Sequence, residues 1–273
     1  MKVVCFIILF FSTLITFGQE SATSQSHSYL KSYLYSGLTI IEQPLHYDWK
    51  DWSVFAGVAT ATTLAFIYDD EIYDYVNASF TDSQSNTISR YTDVFGEEWF
   101  IVPSVALTYA VGAIDKNPRL KNLSLATLQS FIFAEVASAG IKGLTWRARP
   151  QIQSPNSVSE SRSNEWQGPF ATFENTSFVS GHAMRSFAVA ATVAGLYPEK
   201  PWLGVISYSL ATMTSLGRII AKEHWTSDVI VGAAIGYFIG KGVVKFNQKL
   251  DKSSKIDVEV VATQYGMGFA LKF

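Results

Sequence analysis

Three short stretches of the chain set cations, histidines and an acid at spacings suited to handling a phosphate group. The first is Lys142-Gly143-Leu144-Thr145-Trp146-Arg147-Ala148-Arg149-Pro150. Lys142 and Arg149 are seven apart, two helical turns, so on a continuous helix they share a face, which Pro150 then ends. An arginine can fork two phosphate oxygens while a lysine adds a point charge. The second is Ser177-Phe178-Val179-Ser180-Gly181-His182-Ala183-Met184. Ser180 and Gly181 stand where an apolar helix begins, and the free N–H groups of a helix N-terminus bind anions. Gly181 lets a ligand come close to the backbone, and His182 in the first turn is placed to pass a proton. The third runs from Gly217 and Arg218 to His224 and Asp228. Arg218 closes one helix and Asp228 opens the next. His224 and Asp228 are four apart, a spacing that permits an Asp–imidazole hydrogen bond across the turn. Such a bond fixes the tautomer and leaves the other ring nitrogen to attack phosphorus.

Taken singly, each stretch has a plainer reading. A basic helix end complements the helix dipole, a Ser before a helix is an N-cap, and an Asp in a first turn is an ordinary helix-start acid. Taken together, they gather two of the four histidines with three cations and an acid at helix ends flanking two loops. His27 and His46 stand apart and read as surface or linker residues. Glu135, seven residues before Lys142, reads either as an acid behind the site or as a satisfied core carboxylate.

In this order the stretches resemble the three motifs of the type 2 phosphatidic acid phosphatases (PAP2) and vanadium haloperoxidases: Lys142-x6-Arg149-Pro150, Ser180-Gly181-His182 and Arg218-x5-His224-x3-Asp228. The resemblance implies that Lys142, Arg149 and Arg218 hold the phosphate oxygens, helped by Ser180 and the Gly181 backbone. It makes His224 the nucleophile of a phosphohistidine intermediate, His182 the general acid for the leaving oxygen, and Asp228 the group that orients His224. It implies no metal and no cofactor, with vanadate binding as a phosphate mimic. The substrate would be a lipid phosphate, a lipid pyrophosphate or another phosphomonoester. A vanadium-dependent haloperoxidase and a non-catalytic envelope protein with a vestigial site are the alternatives. Two positions depart from the motifs: Val179 stands for Pro before Ser-Gly-His, and Gly217 stands for Ser before Arg218. Neither removes a proposed catalytic side chain.

The elements that must position these residues read as helices. Apolar blocks at about 52–68, 98–114, 123–146, 182–196, 202–216 and 227–246 are separated by turns such as Lys116-Asn117-Pro118. They predict an all-α, six-helix PAP2-like bundle over residues 51–250, interrupted by polar loops at 69–97 and 151–176. Residues 1–19 read as a signal peptide, with Lys2 before an apolar run, and residues 20–50 as a polar linker. Residues 251–273 alternate apolar and polar around Gly266 and Gly268 and predict a short β-hairpin tail.

Composition bounds the partners. Of 273 residues 48% are apolar and 16% charged, with a net charge of −2, so no basic field argues for nucleic acid. Cys5 is the single cysteine, which rules out an intramolecular disulfide and a cysteine metal site. Cations at Lys116, Arg119 and Lys121 and from Lys241 onward favour six spans with both catalytic loops outside the cytoplasm. A cleaved signal followed by six spans would turn those loops inward. The expectation that reconciles them is an exported, cell-envelope protein, its bundle periplasmic or partly inserted, acting at a membrane surface or in the bilayer.

Overall fold

Capping residues mark the helix starts. The computed structural model describes residues 23–154, 157–160, 162–169, 176–253, 257–263 and 266–272, with side chains over 32–151, 162–169 and 176–248. Helix α1 spans Thr23–Glu42. Helix α2, Trp49–Ser79, opens on a capping box in which Asp48 and Asp51 each accept a backbone N–H of the other. Thr81 and Gln84 repeat that box at the start of α3, Asp82–Thr92. A 3-10 turn over Asp93–Gly96 leads into α4, Glu98–Ile114. Asn117 caps α5, Pro118–Thr145, whose first residue is a proline, as is that of α7, Pro201–Ile220. Between them lies α6, Gly181–Leu196, and α8 completes the bundle over Thr226–Ser253. Strands β1, Gln151–Ser154, and β2, Ser157–Glu160, pair antiparallel inside the long connection from α5 to α6. The class is all-α, as the apolar blocks predict.

Two segments differ from their sequence reading. The 20–50 linker is mostly helix, since α1 occupies Thr23–Glu42. The acidic stretch 69–97 is not a loop: α2 runs on to Ser79 and α3 follows almost at once. Its acids look solvent-facing in sequence, yet Asp69 and Asp93 turn inward onto cations, and the exposed Asp82 holds a buried lysine. Asp69 meets Arg147, Asp82 meets Lys222 and Asp93 meets Arg218. The signal peptide lies outside the described residues, and the tail hairpin falls where no side chain is described.

The helix pair that carries both histidine motifs is held by a small-residue seam. A Cβ on Gly232, Gly236 or Gly240 of α8 would lie 2.5, 2.1 or 2.4 Å from the carbonyl oxygens of Ser180, Met184 and Ala188 on or beside α6. Only glycine permits that approach, and the four-residue spacing keeps the seam on one face. Ala134, Val179, Met184, Ala188 and Ile239 pack into the core beside it. Val179 is fully buried there, which gives a packing role to the residue that replaces the motif proline.

Polarity is distributed inside out relative to a protein bathed in water. Small polar side chains are buried between helices: Ser130 bonds Thr192 at 2.6 Å, and Gln129 bonds Ser36 at 2.8 Å. Large apolar ones such as Leu107, Val136, Leu144, Val205, Ile206 and Leu216 face outward. Helical segments Asp82–Ile114, Pro118–Thr145, Pro201–Ile220 and Thr226–Gln248 are long and apolar enough to cross a membrane. Small polar contacts inside and apolar surface outside suit helices packed in lipid.

Candidate active site

The site is built where α5 ends, α6 begins, α7 ends and α8 begins, with the end of α2 and the 93–98 turn closing over it. Helix α5 stops at Thr145 because Trp146 takes a left-handed conformation, φ 41°. Lys142 and Arg149 therefore do not share one helical face as the spacing suggests. Lys142 projects from the last helical turn, and Arg149 comes from an extended segment. That segment is clamped on both sides by the loop: Ala148 N–H donates to Glu165 O at 2.9 Å, and Ser177 N–H donates to Arg147 O at 2.7 Å.

The clamp drives Arg147 inward, where it is wholly buried. Its guanidinium donates to Ser163 O at 2.8 Å, Ser227 Oγ at 2.7 Å, Asp228 Oδ1 at 2.6 Å and Asp69 Oδ2 at 2.8 Å. Its faces lie against the rings of Phe66, Trp166 and Trp225, 4.9, 5.0 and 5.4 Å from their centroids. Asp69 also accepts from Ser227 N–H at 3.0 Å and Ser227 Oγ at 2.5 Å. A buried charge needs this degree of pairing to be tolerated. The outcome is that Asp228 is held from behind.

From its other oxygen, Asp228 faces the nucleophile candidate. Asp228 Oδ2 accepts from Trp225 N–H at 3.0 Å and from Ser177 Oγ. His224 Nδ1 lies 3.3 Å from Ser177 Oγ and 3.8 Å from Asp228 Oδ2. The latter distance is too long for a hydrogen bond. The imidazole therefore reaches its acid through the Ser177 hydroxyl: Nδ1–H donates to Ser177, and Ser177 donates to Asp228. That arrangement leaves Nε2 with its lone pair available. The His224 imidazole is held well below its ordinary pKa of 6.5, first by complete burial and then by the positive charges of Lys142, Arg149 and Arg218. The field of the three cations thus reaches the ring that would attack phosphorus.

Ser180 caps α6, its hydroxyl 3.4 Å from Ala183 N, and its own N–H donates to Asp228 O at 3.1 Å. Gly181 is the first helical residue, and a Cβ there would meet Ser138 Oγ at 3.1 Å. One position on, His182 Nε2 sits 3.1 Å from Glu97 Oε1, with Arg185 Nη2 3.5 Å from its Nδ1. Burial lowers the His182 pKa, the Glu97 hydrogen bond raises it, and the charges of Arg218 and Arg185 lower it further; the net direction is down. Glu135 forms an ion pair with Arg185 at 3.0 Å.

Arg218 is anchored by Asp93 at 2.5 Å, and its Nη2 lies 3.5 Å from Glu223 Oε2. The same Glu223 oxygen forms an ion pair with Arg149. A Cβ on Gly217 would lie 1.9 Å from Thr92 Oγ1, so α3 fills the space that the motif's serine would need.

Of the residues predicted from sequence, Lys142, Arg149, Arg218 and His182 act on His224 through their charges and Asp228 reaches it through Ser177, while Ser180 meets Asp228 through its N–H and Gly181 opens α6. Missed were Asp69, Asp93, Glu97, Arg147, Ser177 and Glu223. Arg147, Ser177 and Glu223 lie inside the three stretches, and only their partners in space show what they touch. Asp69, Asp93 and Glu97 lie far away in sequence, within the acidic stretch 69–97.

Comparison with known proteins places this geometry in context. The family model described as PAP2 superfamily matches residues 123–252. A lipid A 1-phosphatase from Porphyromonas gingivalis is 39% identical over 66 residues, 24% of this chain and 15% of that protein. An undecaprenyl-diphosphatase from Sulfolobus acidocaldarius is 25% identical over 156 residues, 56% of this chain and 66% of that protein. The match thus covers less than two thirds of either curated relative. Among solved structures, a transmembrane PAP2 type phosphatidylglycerolphosphate phosphatase from Bacillus subtilis has a TM-score of 0.46 at 15% identity, covering 81% of this chain and 96% of that one. LpxE from Aquifex aeolicus has a TM-score of 0.45 at 21% identity, covering 64% and 93%.

Proposed function

Because residues 123–252 belong to the PAP2 superfamily, we propose that the protein is a membrane-associated phosphatase that cleaves a lipid-borne phosphate or pyrophosphate through a phosphohistidine, with no metal. The observation that carries this reading is the His224–Ser177–Asp228 chain set against the charges of Lys142, Arg149 and Arg218 in one site.

His224 Nε2 attacks phosphorus, forming a P–N bond as the P–O ester bond breaks. The positive charge that builds on the imidazole is stabilised by Asp228 through Ser177. The three cations, with Ser180 and the Gly181 N–H, hold the oxygens whose charge redistributes in the transition state. His182 gives its proton to the leaving oxygen. It then takes a proton from the water that attacks phosphorus and breaks the P–N bond, releasing inorganic phosphate. Glu97 supports the protonated His182, and the incoming phosphate's negative charge raises the pKa that Arg218 and Arg185 depress.

A lipid substrate fits the apolar helix exteriors and the lipid names of the two curated relatives. Lys116 in the turn before α5, Arg119 and Lys121 in its first turn, and Lys200 before α7, lie at the opposite end of the bundle from the site. By the bias of such cations toward the cytoplasm, the site faces outward, on the periplasmic side of an exported or inserted chain.

The test is inorganic phosphate release by purified protein from lipid phosphates, lipid pyrophosphates and soluble phosphomonoesters, in excess EDTA. Release from a lipid substrate that persists with chelator is the expected result. Absence of release from every substrate, or activity restored only by a divalent ion, would overturn the proposal.

A further inference from the structure

The anion site already contains an anion. Glu223 Oε2 forms an ion pair with Arg149 Nη1 and lies 3.5 Å from Arg218 Nη2. Its carboxylate thus stands between the two guanidinium groups assigned to phosphate, and Glu223 immediately precedes His224 in the chain. The turn that carries it is fixed at Glu223 itself and at Lys222. Glu223 N–H donates to Arg218 O at 3.2 Å, and Lys222, with φ 61°, is tied to Asp82 at 2.8 Å.

Two features separate this carboxylate from a simple brace. Arg218 is independently oriented by Asp93, at 2.5 Å, on a side chain nearly as buried as its own. Glu223 itself is one-third exposed, so it has a path to water that Asp93 lacks. A carboxylate offers two oxygens and one charge, whereas a phosphate monoester dianion offers three oxygens and two charges to the same guanidiniums. A phosphoryl group can therefore take both arginines from Glu223.

We infer that Glu223 is a resident, displaceable anion of the phosphate site, one that sets its affinity for substrate and for the orthophosphate product. This rests on the assignment of Arg149 and Arg218 to phosphate. In the empty site the carboxylate balances two clustered cations. On substrate binding it swings toward solvent. After hydrolysis of the phosphohistidine it competes for the arginines and helps orthophosphate leave.

The test uses the full-length protein in detergent, with Glu223→Gln and the shorter Glu223→Asp, each checked by thermal unfolding. Orthophosphate binding is measured by calorimetry and as competitive inhibition of turnover. Removing one unit of negative charge from the site should tighten orthophosphate on the order of tenfold in Glu223→Gln. KM should fall, and kcat should fall with it as product release slows. Glu223→Asp, its carboxylate drawn back by one methylene, should tighten binding less, and it decides the matter if Glu223→Gln does not fold. Orthophosphate affinity unchanged or weakened in the folded variant, with KM raised, would make Glu223 a brace and overturn the inference. A wild-type protein that neither binds nor releases orthophosphate would instead refute the phosphatase reading itself.

Discussion

Replacing Arg147 by lysine tests how the nucleophile's acid is held. The guanidinium makes four hydrogen bonds from a wholly buried position, two of them to the carboxylates of Asp69 and Asp228. An ammonium group has three donors arranged about a point, so it cannot reach four acceptors spread around a planar fork. At least one buried carboxylate then loses its charged partner. Breaking a buried pair in this way costs about 3–5 kcal/mol. For a chain of this size that corresponds to a fall in Tm of roughly 6–20 °C. The chemical consequence is separable from the stability loss. Below the new Tm, Asp228 is still bonded by Ser177 and Trp225 N–H but has lost its rear anchor. The imidazolium formed during attack is then less well stabilised, so kcat falls more than KM rises. The assay is thermal unfolding in detergent together with single-turnover phosphate release at a temperature where wild type and variant are both folded. An Arg147→Lys protein with the wild-type melting temperature and unchanged kcat would refute the argument that this cation holds Asp228.

Four further outcomes are expected. His224→Ala should abolish turnover and the acid-labile phosphoprotein. His182→Ala should lose about 10²–10⁴-fold on an alkyl phosphate but far less on p-nitrophenyl phosphate, whose leaving group needs no proton; equal losses on both would show the histidine roles to be misassigned. Because the His224 pKa is held below 6.5 in the folded protein, its neutral form persists into mild acid. The acid limb of kcat/KM, corrected for substrate ionisation, should therefore lie below pH 6.5. The same depression means the unfolded state binds the proton first, so stability is lost as pH falls from about 6.5 toward the folded pKa; a limb at or above 6.5 would contradict the burial argument. Gly217→Ser, which restores the residue usual in the motif, should destabilise the protein because its Cβ would meet Thr92 Oγ1 at 1.9 Å, and Thr92→Gly should recover part of the loss in a double-mutant cycle; additive losses would show that the two sites do not touch.

Much of the site was legible because its residues act through type and local spacing. The apolar blocks placed α4 at 98–114 with the bounds the structure has, and α6 to within one residue at its start. A helix start marked by Ser180-Gly181-His182 needs only a cap and a periodic apolar run, both local properties. The acidic stretch was misread for the opposite reason. Polarity in sequence signals solvent only when no partner waits in the fold, and Asp69, Asp82 and Asp93 each meet a cation more than 75 residues away. The shared helical face proposed for Lys142 and Arg149 failed on a single residue, Trp146, whose left-handed backbone ends α5 early.

The amino-acid sequence by itself determined the chemistry available: two histidines, three cations, an acid and an anion-binding helix start, in an order that resembles one family's motifs. Tertiary structure decided what each group faces. It put Ser177 between His224 and Asp228, Arg147 behind Asp228, Glu97 on His182 and Glu223 between the two arginines. Those pairings depend on α6 and α8 meeting along Gly232, Gly236 and Gly240 and on Asp69 of α2 turning inward. Contacts of that kind are set by packing over long separations, where no local periodicity carries the information.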